Sequence, residues 1–163
     1  MAGRYLEAIE ILDSAPKPVA LSSGGDRASS VRGALREARA RVLTDAGDFD
    51  AAWRLAETFE PPRGERGVSE QVLLGELQCA RKHPAEGRLE IAGVLRSPDL
   101  VEEFEFSPEL ARIRAVAGLC ALKAGDRVSA KAFAAQARAA FTEQPGVSDY
   151  YKRPLAELDA ALR

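Results

Sequence analysis

The sequence predicts an all-α fold of antiparallel helix pairs, about eight to nine helices with no sheet. Alanine occurs thirty times in 163 residues. Apolar residues recur at spacings of three and four, the helical period, and strand-type alternation is missing. A third observation concerns the pairing. The stretch AGDFDAAWRLAETF (46–59) returns nearly eighty positions later as AGDRVSAKAFAAQA (124–137). Self-similarity at a period of roughly 20–50 residues is the signature of repeat architectures, and the units here are spaced by 35 and 43.

Each element follows from local chemistry. Residues 4–14 read as a first amphipathic helix, stopped by APKP at 15–18, because Pro lacks the donor and restricts its predecessor. VALSSGGDRASS reads as a loop, with Ser29 or Ser30 capping a second helix that runs to about Asp45. A turn at Ala46-Gly47 leads into a third helix over about 48–60, ended by EPPRGERG. A fourth spans about 69–82, with Ser69 as its cap. Three later starts place Pro just after a capping residue, at Pro84, Pro98 and Pro108, where the missing N–H is no loss. The helix from 98 is short or a bent connector. Those from 108 and 127 end near Ala124-Gly125 and 142, and Pro154 opens a final helix to Arg163.

The bulk numbers fit one domain over 1–163 with a core of its own. Hydrophobic residues make up 46% and charged ones 29%, and the formal net charge is -2. No global basic field is present to hold nucleic acid or an anionic membrane. The arginines of RGALREARARV (32–42) are spread around their helix, with Glu37 between them. Cys79 and Cys120 are far apart, with no CxxC and no His nearby. They read as two small buried thiols in a reducing compartment, with no disulfide and no zinc. The N-terminus leads straight into YLEAIEIL, which is neither a leader nor a span, so a cytoplasmic protein is expected.

Small residues mark the repeat. Gly118 lies seven before Gly125, Ala130 five after it and Ala137 twelve after it. Ala40, Ala52 and Phe59 stand at the same offsets from Gly47. Gly75 and Gly87 belong to a third copy, whose turn is KHP. This pattern resembles the tetratricopeptide-repeat family over about half of the chain. The best match is 111–137 (Gly118, Gly125, Ala130, Ala137); 33–59 matches through Ala40, Gly47, Phe49 and Ala52, and 68–94 through Leu74, Gly75 and Gly87. The early Trp and the closing Pro of that family are missing, and unit spacings are 35 and 43. The resemblance implies a half-unit at 3–15, units at about 30–60, 68–96 and 108–142, and a capping helix at 154–163.

It also implies a non-enzymatic scaffold or adaptor whose first helices line a concave groove for a peptide or helix. The groove positions are then Ala34, Glu37, Arg41 and Thr44; Ser69, Val72, Glu76 and Cys79; and Arg112, Ala115, Leu119, Leu122 and Lys123. The family's carboxylate-clamping subset uses Asn at several of these places, and this chain has no Asn. An apolar floor ringed by Arg41, Arg112 and Lys123 suits an amphipathic or apolar peptide with some acidic residues. The alternatives are a cytoplasmic chaperone of a secretion system and a regulatory or sensor domain of a longer protein.

Catalysis has little in its favour. His83 is the single histidine and reads as a helix cap before Pro84, which excludes multi-His metal sites. LSSGGDRASS lacks the Lys of a phosphate loop and follows no strand. No cofactor, metal, nucleic acid or membrane is expected. SPDLVEEFEFSPEL reads as a connector anchored by Phe104 and Phe106, with Asp99, Glu102, Glu103, Glu105 and Glu109 in water. A contact loop is the other reading. In the first helix, Tyr5, Leu6, Ala8, Ile9, Ile11 and Leu12 cover more than half the circumference, and a stripe facing one neighbour is roughly 100° wide. This edge is therefore expected to be completed by a second copy of the chain, as a homodimer through Tyr5, Ile9 and Leu12, or by an upstream segment of a longer protein, unless Val19 and Leu21 fold back over it.

Overall fold

A computed structural model of the chain describes residues 2–14, 25–59, 67–97 and 107–163. These residues form eight helices and no strand. They are α1 (Ala2–Ser14), α2 (Gly25–Ala46), α3 (Phe49–Ala56), α4 (Val68–Ala80), α5 (Pro84–Leu95), α6 (Pro108–Lys123), α7 (Arg127–Glu143) and α8 (Asp149–Leu162). Contacts group the chain into two compact units, Met1–Glu70 and Gln71–Arg163, divided in the first turn of α4. The fold class predicted from the periodicity is the one observed.

Three helix-to-helix turns share one backbone conformation. Gly47 and Gly125 take φ of +84° and +83°, and Lys82 takes +72°. The next amide then reaches back five residues. Asp48 N donates to Leu43 O at 3.0 Å, His83 N to Gln78 O at 2.8 Å and Asp126 N to Ala121 O at 2.8 Å. A left-handed residue with this bond closes a helix end by satisfying orphan carbonyls. In two turns an aspartate starts the next helix, Asp48 Oδ1 accepting from Ala51 N and Asp126 Oδ1 from Ser129 N. At the third, His83 stands at the cap position without a side-chain capping bond, beside Glu86 at 3.8 Å. Its predicted capping role is corrected, and Pro84 at the first helical position reduces the need for one.

In the first unit, α1 packs on α2 and α2 on α3. Arg39 pairs with Asp13 across α1 and α2 at 2.6 Å. Ala40 and Ala52 are fully buried, as their offsets from Gly47 predict. α2 begins at Gly25, so Ser29 and Ser30 lie inside it rather than capping it. A serine costs only about half a kcal/mol against alanine in a helix, too little to stop one.

In the second unit, α6 is the central helix and packs against α5, α7 and α8. Ten of its sixteen residues are buried, on every side. That requires small residues where helices cross. A Cβ on Gly118 would meet Phe133 Cβ at 3.3 Å and would overlap Leu158 Cδ2. Between α4 and α5 the backbones themselves touch: a Cβ on Gly87 would overlap the Gly75 carbonyl and reach Cys79 N at 3.0 Å. α8 starts at Asp149, with Ser148 Oγ accepting from Tyr150 N, and Pro154 sits inside it, buried. The expected start at Pro154 is corrected because Ser148 supplies a cap one turn earlier. The short helix expected at 98 lies outside the described residues, as do Val19 and Leu21.

Two predictions follow from this geometry. Lys82→Gly should raise stability by about 0.5–1 kcal/mol by removing left-handed strain, and Gly125→Ala should lower it by about as much. Chemical denaturation of both variants checks the opposite signs. Gly87→Ala should be destabilising by about 1–3 kcal/mol and more so than Gly118→Ala. The former collides with backbone, the latter mainly with the mobile end of Leu158. Thermal melts of the pair read the order.

Candidate functional site

In the first unit, the predicted groove residues of α2 are tied to the start of α4. Ser69 Oγ donates to Glu37 Oε1, and Arg41 Nη2 donates to the Ser69 carbonyl at 3.5 Å. Thr44 is buried and returns its hydroxyl to Ala40 O at 2.8 Å. Ala34 is exposed, and Glu37 and Arg41 are half-buried. On α1, Tyr5, Ile9 and Leu12 are half-buried, whereas Ile11 is 63% exposed.

In the second unit, the expected apolar floor is core. Val72 and Ala115 are fully buried. Ala115 belongs to a cluster with Ala130, Ala134, Phe141, Leu155 and Leu158, and Leu119 and Leu122 pack against it. The physical reason is α8. Starting at Asp149, it lies along α6 and α7 and takes the apolar face that the sequence left open. Of the five predicted groove positions on α6, only Lys123 is exposed.

Glu76 and Arg112 were expected at the groove and are brought together instead. Arg112 is 3% exposed, the one buried charged residue among the described residues. Its Nη1 and Nη2 donate to Glu76 Oε2 at 3.4 and 3.5 Å, and its Nε lies 3.3 Å from Glu109 Oε1. The Tyr150 ring centre is 6.0 Å from its Cζ, with the Arg153 guanidinium 5.9 Å from the same ring. A guanidinium this deep persists only when charges and polar groups surround it. Sequence reading missed Tyr150 and Arg153, whose helix was taken to begin later. Asp126 is held below its ordinary carboxylate range by hydrogen bonds from Ser129 and by the Arg88 guanidinium at 2.7 Å.

The cysteines require a correction. Cys79 and Cys120 are bonded as a disulfide with Cα atoms 5.5 Å apart, and no free thiol remains. Burial was predicted and holds: Cys79 is 5% and Cys120 0% exposed. The pairing was not predicted, because 41 residues separate them and only tertiary packing brings α4 beside α6. Together with Glu76–Arg112 it ties α4 to α6 at two points that advance in the same chain direction. Among the described residues no group of three metal-binding side chains occurs. The acidic stretch 99–105 lies outside the described residues.

No family model, curated protein or solved structure matches the chain.

Cys79→Ala combined with Cys120→Ala should lower stability by about 4 kcal/mol, the chain-entropy value for a loop of this length. Urea denaturation of the double variant checks the magnitude. The wild type, unfolded in denaturant without reductant, should yield no titratable thiol.

Proposed function

We propose that the chain is a non-enzymatic protein-binding scaffold built from tetratricopeptide-like helix pairs. One observation carries the reading. The same left-handed turn occurs at Gly47, Lys82 and Gly125, each with a buried small residue seven before and five after it: Ala40 and Ala52, Gly75 and Gly87, Gly118 and Ala130. The third copy, whose KHP turn departs from the sequence pattern, has the same backbone as the others. Repeated helix pairs present side chains on a rigid frame, which suits binding a peptide or helix of another protein.

Within this proposal the first unit, taken by itself, offers exposed Ala34 and Ser69 with half-buried Glu37 and Arg41, and the second, taken by itself, offers exposed Lys123. Val72 and Ala115 are closed to a partner. A homodimer through α1 stays in the proposal, supported by the exposed Ile11 beside half-buried Tyr5, Ile9 and Leu12. No helix of the described residues is long and apolar enough to cross a membrane. The cytoplasmic placement expected from free cysteines loses that ground, because disulfides persist chiefly in oxidising compartments.

The test is affinity capture with quantitative mass spectrometry on wild type, Arg41→Glu and Lys123→Glu. A partner retained by wild type and lost from either variant, with unchanged melting, supports the scaffold. Equal recovery by both variants removes these residues from the site. Light scattering of the same sample should give twice 17.5 kDa, and a monomer removes the α1 dimer alone.

A further inference from the structure

Between α7 and α8 lies a cleft of about 430 Å³ that none of the predicted groove residues line. Lys131, Ala134 and Arg138 form one wall, and Asp159, Leu162 and Arg163 form the other. The floor is apolar: Ala134 is buried, and half-buried Leu162 packs on the same core cluster. The rim is basic. Lys131, Arg138 and Arg163 face a single acidic side chain, Asp159, in a chain whose formal net charge is -2.

The rim is also partly organised in advance. Asp159 Oδ1 accepts from Arg138 Nη2 at 2.6 Å, which fixes that guanidinium beside the opening. Arg127, one turn before Lys131 on α7, donates to the Leu162 carbonyl on α8. Lys131 and Arg163 are exposed and make no ion pair among the described residues. Unpaired cations beside an apolar floor form a recognisable chemistry. They attract carboxylates, and the floor accepts the apolar side chain between them.

We infer that the α7–α8 cleft binds an acidic segment of a partner protein, an apolar side chain over Ala134 and Leu162 and carboxylates toward Lys131 and Arg163. A nucleic acid fits less well. The cleft has no aromatic side chain on which a base could stack, and three cations are few for a phosphate backbone. The inference stands apart from the groove reading, because the cleft is framed by other residues.

Fluorescence anisotropy tests it on the whole chain. The probes are a fluorescein-labelled Glu-Glu-Leu-Phe-Glu-Glu peptide, its Lys-for-Glu counterpart and a labelled single-stranded oligothymidylate. The acidic peptide should bind saturably at low salt and weaken as salt is added. Lys131→Glu with Arg163→Glu should reduce its affinity about ten-fold at an unchanged melting temperature. Lys123→Glu should leave it as in wild type, even if that variant loses a captured partner. No binding of the acidic peptide, equal binding by the double variant, or equal binding of the basic peptide overturns the inference. Oligothymidylate bound more tightly than the peptide, and lost in the double variant, replaces it with a phosphate site.

Discussion

The second unit depends on one constraint: α6 has to be approached from all sides at once. A helix tolerates this only if its surface is nearly smooth, and α6 achieves it with Ala111, Ala115, Ala117, Gly118 and Ala121, all buried. Axial distances then shrink until side chains such as Leu158 rest against the α6 backbone at Gly118. The same crowding decides what α6 cannot be. A helix enclosed by α5, α7 and α8 and bonded to α4 has little face left for a partner. Arg112 marks the limit of that enclosure, because its charge requires the company of Glu76, Glu109 and Tyr150.

Much of the fold was legible because its turns are local. Gly47 and Gly125 each carry a positive φ that L residues avoid, so the sequence shows them as glycine followed by a capping aspartate. Lys82 holds the same conformation without glycine, which is why its copy looked weaker. What repeats is a backbone geometry, and sequence records it only where the residue choice is forced. The small residues at offsets of seven and five were visible for a related reason. Where backbones meet, as at Gly75 and Gly87, no side chain fits.

The site was less legible, because it depends on which helix faces which. Ala115, Leu119 and Leu122 are an apolar stripe at helical spacing on α6 in either reading, whether exposed to a ligand or covered by a neighbour. The deciding fact was the start of α8 at Asp149, hidden by treating Pro154 as a helix opener. The disulfide was hidden in the same way. Cys79 and Cys120 carry no local motif, and they meet only through the tertiary placement of α4 and α6.

These two linkages bear on where binding can occur. With Cys79–Cys120 and Glu76–Arg112 in place, α4 cannot part from α6 to admit a ligand between them without breaking a covalent bond or exposing a buried charge. Recognition by the second unit is then confined to side chains already at its surface. On α7, Arg127, Lys131 and Arg138 lie within one stripe of the helix, at spacings of four and seven. Two of them are turned toward α8 by bonds to Asp159 and the Leu162 carbonyl, and Lys131 between them is not. The surface of this unit keeps exposed apolar side chains as well, Leu89, Val128 and Tyr150, and at the cleft Lys131, Arg138 and Arg163 stand against the one acidic side chain of its lining, Asp159.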